Sequence, residues 1–92
     1  MNKYETIFIL NASLQDEEIK SNIDKISELI SKNGEIESVE EWGRKKLAYP
    51  IKKQNEGYYV LINFSSNPEF IEELERVYNI TDEIIKHIVV KK

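Results

Sequence analysis

Five basic side chains lie close together in the middle of an otherwise acidic chain. Residues 42–53 contain no aspartate or glutamate, and their basic residues are Arg44, Lys45, Lys46, Lys52 and Lys53. The whole chain has 13 Lys and Arg and 17 Asp and Glu, so the residues outside this run comprise eight basic and all 17 acidic ones. A local cationic run among aromatic and aliphatic residues is typical of a surface that contacts nucleic-acid phosphates. The same run could instead be a solvated edge strand, where lysines prevent aggregation.

Length and composition restrict the class of protein. The chain has 92 residues, 40% hydrophobic and 33% charged, which predicts a single globular domain over residues 1–92. It has no cysteine, so disulfides and thiolate metal sites are excluded, in keeping with a reducing cytoplasm. No apolar run is long enough for a signal peptide or a membrane span, and we expect a soluble cytoplasmic protein. The net charge of -4 indicates that any contact with nucleic acid is local and assisted by a partner.

Hydrophobic periodicity predicts a strand and then a helix at the start of the chain. Residues 3–10 alternate, and the even-numbered positions are the better core face. Residues 14–32 carry isoleucines at helical spacing. Ser13 is the predicted N-cap of this helix, and Asn33-Gly34 is the predicted stop.

The second predicted strand, residues 35–49, contains an irregularity. Its alternation slips between Val39 and Trp42, and together with Gly43 this predicts a bulge or bend. After the slip, Leu47, Tyr49 and Ile51 are expected to hold the strand against the core. Pro50 cannot donate to a sheet ladder, so this strand is expected at an edge of the sheet.

Three further elements complete the prediction. A polar turn at residues 54–57 leads to a third strand, residues 58–65, with apolar residues on both faces, which is typical of a central strand. Asn67 and Pro68 begin a second helix, and residues 84–90 form a fourth strand.

The order strand, helix, strand, strand, helix, strand predicts an α+β protein of the ferredoxin-like split β-α-β class. This fold has a four-stranded antiparallel sheet with both helices on one face. The other face would display Ile7, Ile9, Tyr59 and Leu61. Contiguous exposed apolar residues usually mark a binding surface, although a small domain also has ordinary apolar surface.

The sequence Trp-Gly-Arg-Lys-Lys-Leu-Ala-Tyr-Pro-Ile at residues 42–51 resembles the hallmark of the bacterial small-subunit ribosomal protein number six family. Supporting similarities are spread over the chain and comprise Tyr4-Glu5, Ile9-Leu10, Lys52-Lys53, Gly57-Tyr58 and Val89-Val90-Lys91. The resemblance therefore covers essentially the whole chain.

The resemblance implies contact with small-subunit ribosomal RNA through Arg44, Lys45 and Lys46. Lys52, Lys53, Lys91 and Lys92 could extend the same positive field. It also implies a heterodimer with ribosomal protein number eighteen during platform assembly, with Ile7, Ile9, Trp42, Tyr59 and Leu61 as the expected partner-binding residues. Trp42 could instead cover the bulge or stack on RNA. Many relatives continue beyond the last strand, and contacts of such a tail are not expected for a chain ending at Lys92.

An RNA-recognition motif is the strongest alternative, because it uses the same topology and stacks bases on strand aromatics. That mechanism would turn Tyr58 and Val60 outward and bury Tyr59, Leu61 and Asn63. It would therefore hide the less apolar face of the third strand and expose the more apolar one. The expected parity is the opposite, with Tyr58 facing the helices.

An enzyme is the second alternative, and the sequence gives it little support. His87 is the single histidine, and a partly buried or interface ring is the expected role. No nucleophile motif, phosphate loop or metal-ligand spacing accompanies it. We predict no catalytic residue, no metal, no cofactor, no small-molecule substrate and no membrane contact.

Overall fold

The computed structural model describes residues 1–51 and 54–92, which contain four strands and two helices. In chain order these are β1 (Asn2–Asn11), α1 (Asp16–Asn33), β2 (Gly34–Ile51), β3 (Gln54–Ser66), α2 (Glu69–Ile80) and β4 (Ile84–Lys91). The strands form an antiparallel sheet in the order β2-β3-β1-β4. The predicted ferredoxin-like fold is confirmed, with β1 and β3 central and β2 at an edge.

The main hydrophobic core lies between the helices and one face of the sheet. The central strands contribute alternate residues, because successive strand side chains point to opposite faces. The helices contribute residues three and four apart, which share one side of a helix. The fully buried residues include Phe8, Leu10, Ile26, Ile30, Val60, Ile62, Phe64, Leu74 and Tyr78. This is the even-numbered face predicted for β1 and β3. We call it the helix-covered face, and the opposite face of the sheet the open face.

A pair of buried hydroxyl groups links β1 to α2 within this core. Thr6 Oγ1 lies 3.0 Å from the Tyr78 hydroxyl and donates to the Ile88 carbonyl oxygen at 3.0 Å. Because Thr6 gives its single hydroxyl hydrogen to Ile88, the Tyr78 hydroxyl is the donor in the pair. Burial raises the pKa of Tyr78 well above its ordinary value.

The start of α1 differs from the prediction. Ser13 is not the N-cap, because its N–H and its hydroxyl both donate to Asn11 Oδ1, at 2.9 and 2.7 Å. Gln15 takes the cap position, and its N–H donates to Glu18 Oε1 at 3.3 Å. The local turn made by the asparagine side chain therefore competes successfully with capping by the serine.

The irregularity predicted in β2 is a bulge. Glu41 is paired with Val60 and Gly43 with Tyr59, so Trp42 is an extra residue on the β2 side. Gly43 has φ 83°, a left-handed conformation that glycine adopts without strain. The predicted bulge is confirmed. A further register shift near the start of β2 was not predicted from the alternation.

β2 and β3 continue beyond the rest of the sheet as a two-stranded hairpin. β1 ends at Asn11, opposite Gly57, whereas β2 and β3 stay paired as far as Ile51 and Gln54. Residues 54–57, predicted as a turn, are therefore the first part of β3. We call residues 44–51 and 54–57 the hairpin.

A second, smaller apolar cluster holds the hairpin on the open face. Leu47 is buried together with Ile9 and Ile85. Leu47 was predicted to hold the strand against the core. Gly57 fits this junction because a methyl group there would overlap Cγ2 of Ile9. Tyr49 does not help to hold the strand, since it is 81% exposed. The hairpin is thus fixed at its root and projects from it.

Candidate nucleic-acid and protein interface

The three consecutive basic residues at the start of the hairpin do not share one direction. Arg44 is paired with Tyr58 and lies on the helix-covered face, whereas Lys45 is paired with Gly57 and lies on the open face. Lys46 returns to the side of Arg44, because strand side chains alternate. Both lysines are exposed. The predicted basic surface is therefore divided between the two sides of an edge strand.

The guanidinium of Arg44 is engaged with the start of α1. Its Nε donates to the carbonyl oxygen of Ala12 at 3.3 Å, and Nη2 donates to the Leu14 carbonyl oxygen and to Asp16 Oδ1, both at 3.3 Å. It also lies 5.8 Å from the centre of the Tyr58 ring. Arg44 is predicted to contact RNA, yet its charge is shared here with the Asp16 carboxylate.

Tyr58 lies on the helix-covered face, as expected for this fold and against the base-stacking alternative. Its ring packs on the main core, and its hydroxyl donates to Glu41 Oε1 at 2.8 Å. This hydrogen bond is the main reason that the pKa of Tyr58 is raised. Val60, on the same face, is completely buried. The two residues that an RNA-recognition motif would turn outward are therefore under the helices.

An aromatic and cationic stack lies on the open face at the bulge. The Trp42 ring stacks on Tyr59 with centroids 6.4 Å apart and an interplanar angle of 14°. Lys45 Nζ lies 5.3 Å from the centre of the Trp42 ring, within range of a cation–π interaction. Trp42 is 42% exposed. The structure thus places Trp42 over its own strand neighbours while leaving much of the ring accessible.

The predicted partner-binding residues all lie on the open face. Ile7 is opposite Leu61, and Ile9 is opposite Tyr59 in the β1–β3 ladder. Ile9 and Leu61 are only 6% and 7% exposed, since neighbouring side chains of the same chain cover them. Ile7 and Tyr59 are partly accessible. The open face is apolar, as predicted, but a part of it is already covered within the chain.

Sequence reasoning missed the β4 side of the open face. The pairing of Ile9 with Lys86 and of Leu10 with Ile84 leaves Ile85 as an extra residue. This bulge turns Ile88 and Val90 to the open face, where they are 52% and 48% exposed. The apolar run in β4 has no clear alternation, so its two faces could not be assigned without the register.

The basic residues fall into two groups at opposite ends of the sheet. Lys91 is paired with Tyr4, and the Lys92 N–H donates to the Lys3 carbonyl oxygen at 2.9 Å. Lys45 is level with Asn11, seven residues further along β1, or about 23 Å at the usual rise of a strand. Lys91 and Lys92 are therefore not brought next to Lys45 and Lys46. Lys52 and Lys53 lie outside the described residues.

The single histidine is part of the packing near α2. Its Nε2 lies 3.1 Å from Asn79 Oδ1, and the His87 ring stacks on Tyr78 with centroids 4.9 Å apart. Among residues 1–51 and 54–92, no group of three or more His, Cys, Asp or Glu is arranged to hold a metal ion. In the same residues, neither helix is long and apolar enough to cross a membrane.

The uncovered apolar face and the basic hairpin beside it define a small ferredoxin-like protein with the surface chemistry of macromolecular binding. The family model described as ribosomal protein S6 matches residues 3–91. Small ribosomal subunit protein bS6 of Clostridium novyi (strain NT) is 57% identical over 91 residues, which cover 98% of this chain and 96% of that protein. The bS6 protein of Clostridium perfringens (strain SM101 / Type A) is 54% identical over 93 residues, covering 100% of this chain and 98% of its own.

A solved structure agrees with these relatives. The crystal structure of 30S ribosomal protein S6 from Thermotoga maritima at 1.70 Å resolution superposes with a TM-score of 0.95 and 34% identity, covering 99% of this chain and 87% of that one. The chain belongs to the ribosomal protein S6 family. It is therefore a structural protein of the small subunit in the cytoplasmic ribosome, it associates with ribosomal RNA in that particle, and it is not an enzyme.

Proposed function

We propose that this chain binds small-subunit ribosomal RNA jointly with ribosomal protein number eighteen during platform assembly. The hairpin lysines are the RNA contacts, and the open face is the docking surface for the protein partner. One observation carries the proposal. Lys45 and Trp42 lie on the same side of the sheet as the exposed apolar residues of β4, at the other edge, so RNA and a protein partner can bind side by side on this face.

The RNA contact depends on local charge. Lys45 and Lys46 are exposed, and residues 42–53 contain no carboxylate. Lys45 is opposite Gly57 in the ladder, whereas Lys46 is opposite Glu56. Lysines that neutralise phosphates release condensed counterions, which makes binding salt-dependent. The chain as a whole has a net charge of -4, which opposes an approach to RNA. A strongly basic partner on the open face would offset this repulsion. The negative charge of the chain would also steer that partner toward it.

The partner contact depends on apolar area. Ile88, Val90 and Trp42 are between 42% and 52% exposed. Ile7 is opposite Ile88 in the β1–β4 ladder, and Trp42 lies at the other edge of the same face. Aliphatic and aromatic residues of this kind form the buried centre of protein–protein interfaces, with polar residues around them. Lys86 and Glu5, on the same face, supply such a polar rim.

The RNA contact is tested by binding a central-domain fragment of small-subunit RNA across a salt series, with protein eighteen present. The double variant Lys45→Ala plus Lys46→Ala is expected to lower the slope of log affinity against log salt by about 1.8, or about 0.9 per lost phosphate contact. The matched control is Lys20→Ala plus Lys25→Ala, two exposed lysines of α1. Equal slopes for both double variants would contradict the assignment of the hairpin.

The partner contact is tested by titrating protein eighteen without RNA. Ile88→Glu places a charge on the exposed part of the apolar surface, next to Ile7, and is expected to weaken the heterodimer about tenfold or more, the usual size for an interface hot spot. Ile80→Glu is the control, because Ile80 is 63% exposed at the end of α2. If Ile80→Glu weakens the heterodimer and Ile88→Glu does not, the partner docks on the helices and the proposal is wrong.

A further inference from the structure

The contacts of Arg44 differ from those of the two lysines that follow it. Its three acceptors belong to the loop between β1 and α1 and to the first residue of α1, namely Ala12, Leu14 and Asp16. Two of them are backbone carbonyl oxygens. A planar guanidinium with several fixed donors can reach such a set at once, whereas an ammonium group cannot reproduce the geometry. The side chain of Arg44 is thus used as a bridge between β2 and the β1–α1 loop.

This bridge sits where the hairpin leaves the sheet. Gly57, the residue opposite Lys45, is also the last partner of β1, so in the part of the chain that the structure describes no third strand pairs with the hairpin beyond that level. On the open face, Leu47 holds the root through Ile9. On the helix-covered face, Arg44 holds it through the loop and through the Tyr58 ring, 5.8 Å away. The root is therefore fixed from both sides, and its direction depends on both contacts.

We propose that Arg44 is a positioning residue, whose guanidinium fixes the hairpin root against the β1–α1 loop so that Lys45 and Lys46 are presented to RNA. Arg44 itself does not neutralise a phosphate, because its side chain faces the loop and shares its charge with Asp16. This inference rests on the proposed function for its RNA part. Its structural part concerns the free chain alone.

Hydrogen exchange of the free chain tests the structural part. Arg44→Lys keeps the charge but loses the planar set of guanidinium donors. The exchange rate of the amides at residues 44–47 and 55–58 is therefore expected to rise about fivefold, as for the loss of hydrogen bonds to an exposed charged group. Amides of residues 6–9, in the centre of the sheet, are the internal control. Lys25→Ala, at an exposed lysine of α1, is the control variant and leaves the hairpin amides unchanged. Unchanged exchange in Arg44→Lys would overturn the positioning role.

Salt-dependent RNA binding in the presence of protein eighteen tests the second part, with Arg44→Lys and Arg44→Gln compared. A positioning role lowers affinity in both variants to a similar extent, with the salt slope as in the unchanged chain. A direct phosphate contact would instead leave Arg44→Lys near the original affinity and lower the slope of Arg44→Gln by about 0.9, and that result would overturn the proposal. The unfolding free energy is measured alongside, so that a general loss of stability is recognised. If the unchanged chain binds no RNA, the proposed function fails, while the exchange result still decides the role of Arg44.

Discussion

The two faces of the sheet are built by the same strands but have different surroundings. On the helix-covered face, Phe8, Val60, Ile62 and Phe64 are completely buried. On the open face, Ile88 is 52% exposed although it is also a β-branched aliphatic residue. For these residues, the type of side chain therefore does not decide its exposure. Cover by the helices does.

The difference in cover separates the face that stabilises the fold from the face that remains accessible to a partner. The main core includes buried residues of both helices and of β1, β3 and β4, and Ile36 of β2 packs against it. Among the residues whose side chains are described, the cluster on the open face comprises Ile9, Leu47 and Ile85, with Tyr59 beside them, and it lies at the hairpin root. The open face thus uses its buried area to fix the hairpin, and leaves the β4 side accessible.

The largest expected effect is truncation of an aromatic residue on the helix-covered face. Phe64 stacks on Tyr4 at 5.6 Å and meets Phe70 edge-on at 6.3 Å. Phe64→Ala is expected to lower the unfolding free energy by about 4 kcal/mol, as for large-to-small changes in a close-packed core. Urea unfolding followed by circular dichroism measures it. Tyr49→Ala is the control, because Tyr49 is 81% exposed and should change stability by less than about 0.5 kcal/mol.

How much of this could be predicted from the sequence differs along the chain. The alternation in β1 and β3 is regular, so their faces, their central position and the apolar open face were predicted correctly. The bulge at Trp42 was predicted because a break in alternation coincided with a glycine. These features follow from local pattern and from the short list of ways to connect the elements.

Other features depend on contacts between distant residues. The Ile85 bulge lies in a strand where Lys86 and His87 separate two apolar segments, so there was no regular alternation for a bulge to break. The direction of Arg44 depends on acceptors about thirty residues earlier in the chain, and a run of three basic residues does not show which one is engaged. Local pattern predicted a basic edge strand, but it predicted neither the length of the hairpin nor the division of its charges between two faces.

The second expected effect concerns the buried hydroxyl pair. Thr6→Val keeps the shape of the side chain but leaves the Tyr78 hydroxyl without a partner in the core. The unfolding free energy is expected to fall by about 2 kcal/mol, the usual cost of a buried unsatisfied polar group. In the double variant with Tyr78→Phe, the loss should be smaller than in Thr6→Val alone, because the unpaired hydroxyl is gone. A double variant that is less stable than Thr6→Val would show that the hydroxyls are not coupled in this way.

The third effect is a loss of unfolding free energy at alkaline pH, and its expected source is Tyr78 on the helix-covered face. Burial raises the pKa of Tyr78 in the folded chain, whereas an unfolded tyrosine titrates near pH 10. The folded state then retains the proton that the unfolded state releases. The contribution of Tyr78 to the unfolding free energy is therefore fully present below about pH 10 and decreases above it, by at most about 1.4 kcal/mol per pH unit. Urea unfolding at pH 9 and pH 11 should show a larger loss for the original chain than for Tyr78→Phe. Tyr58 is present in both chains, so equal losses would rule out Tyr78 as the source.

The smallest effect on stability is expected on the open face, and it is the sharpest test of the comparison. Ile62 and Ile88 are the same residue type in one sheet, but Ile62 is completely buried and Ile88 is 52% exposed. Ile62→Ala should cost about 3 kcal/mol of unfolding free energy, whereas Ile88→Ala should cost less than about 0.5 kcal/mol. The Thr6 bond to the Ile88 backbone remains in either case, so the difference reports the side chains alone. A loss near 2 kcal/mol for Ile88→Ala would mean that the open face also stabilises the fold, and its accessible apolar area would then be no argument for a partner. A negligible loss, accompanied by weaker binding of protein eighteen, would assign that area to assembly, because an aliphatic side chain that adds nothing to folding stabilises only the complex that covers it.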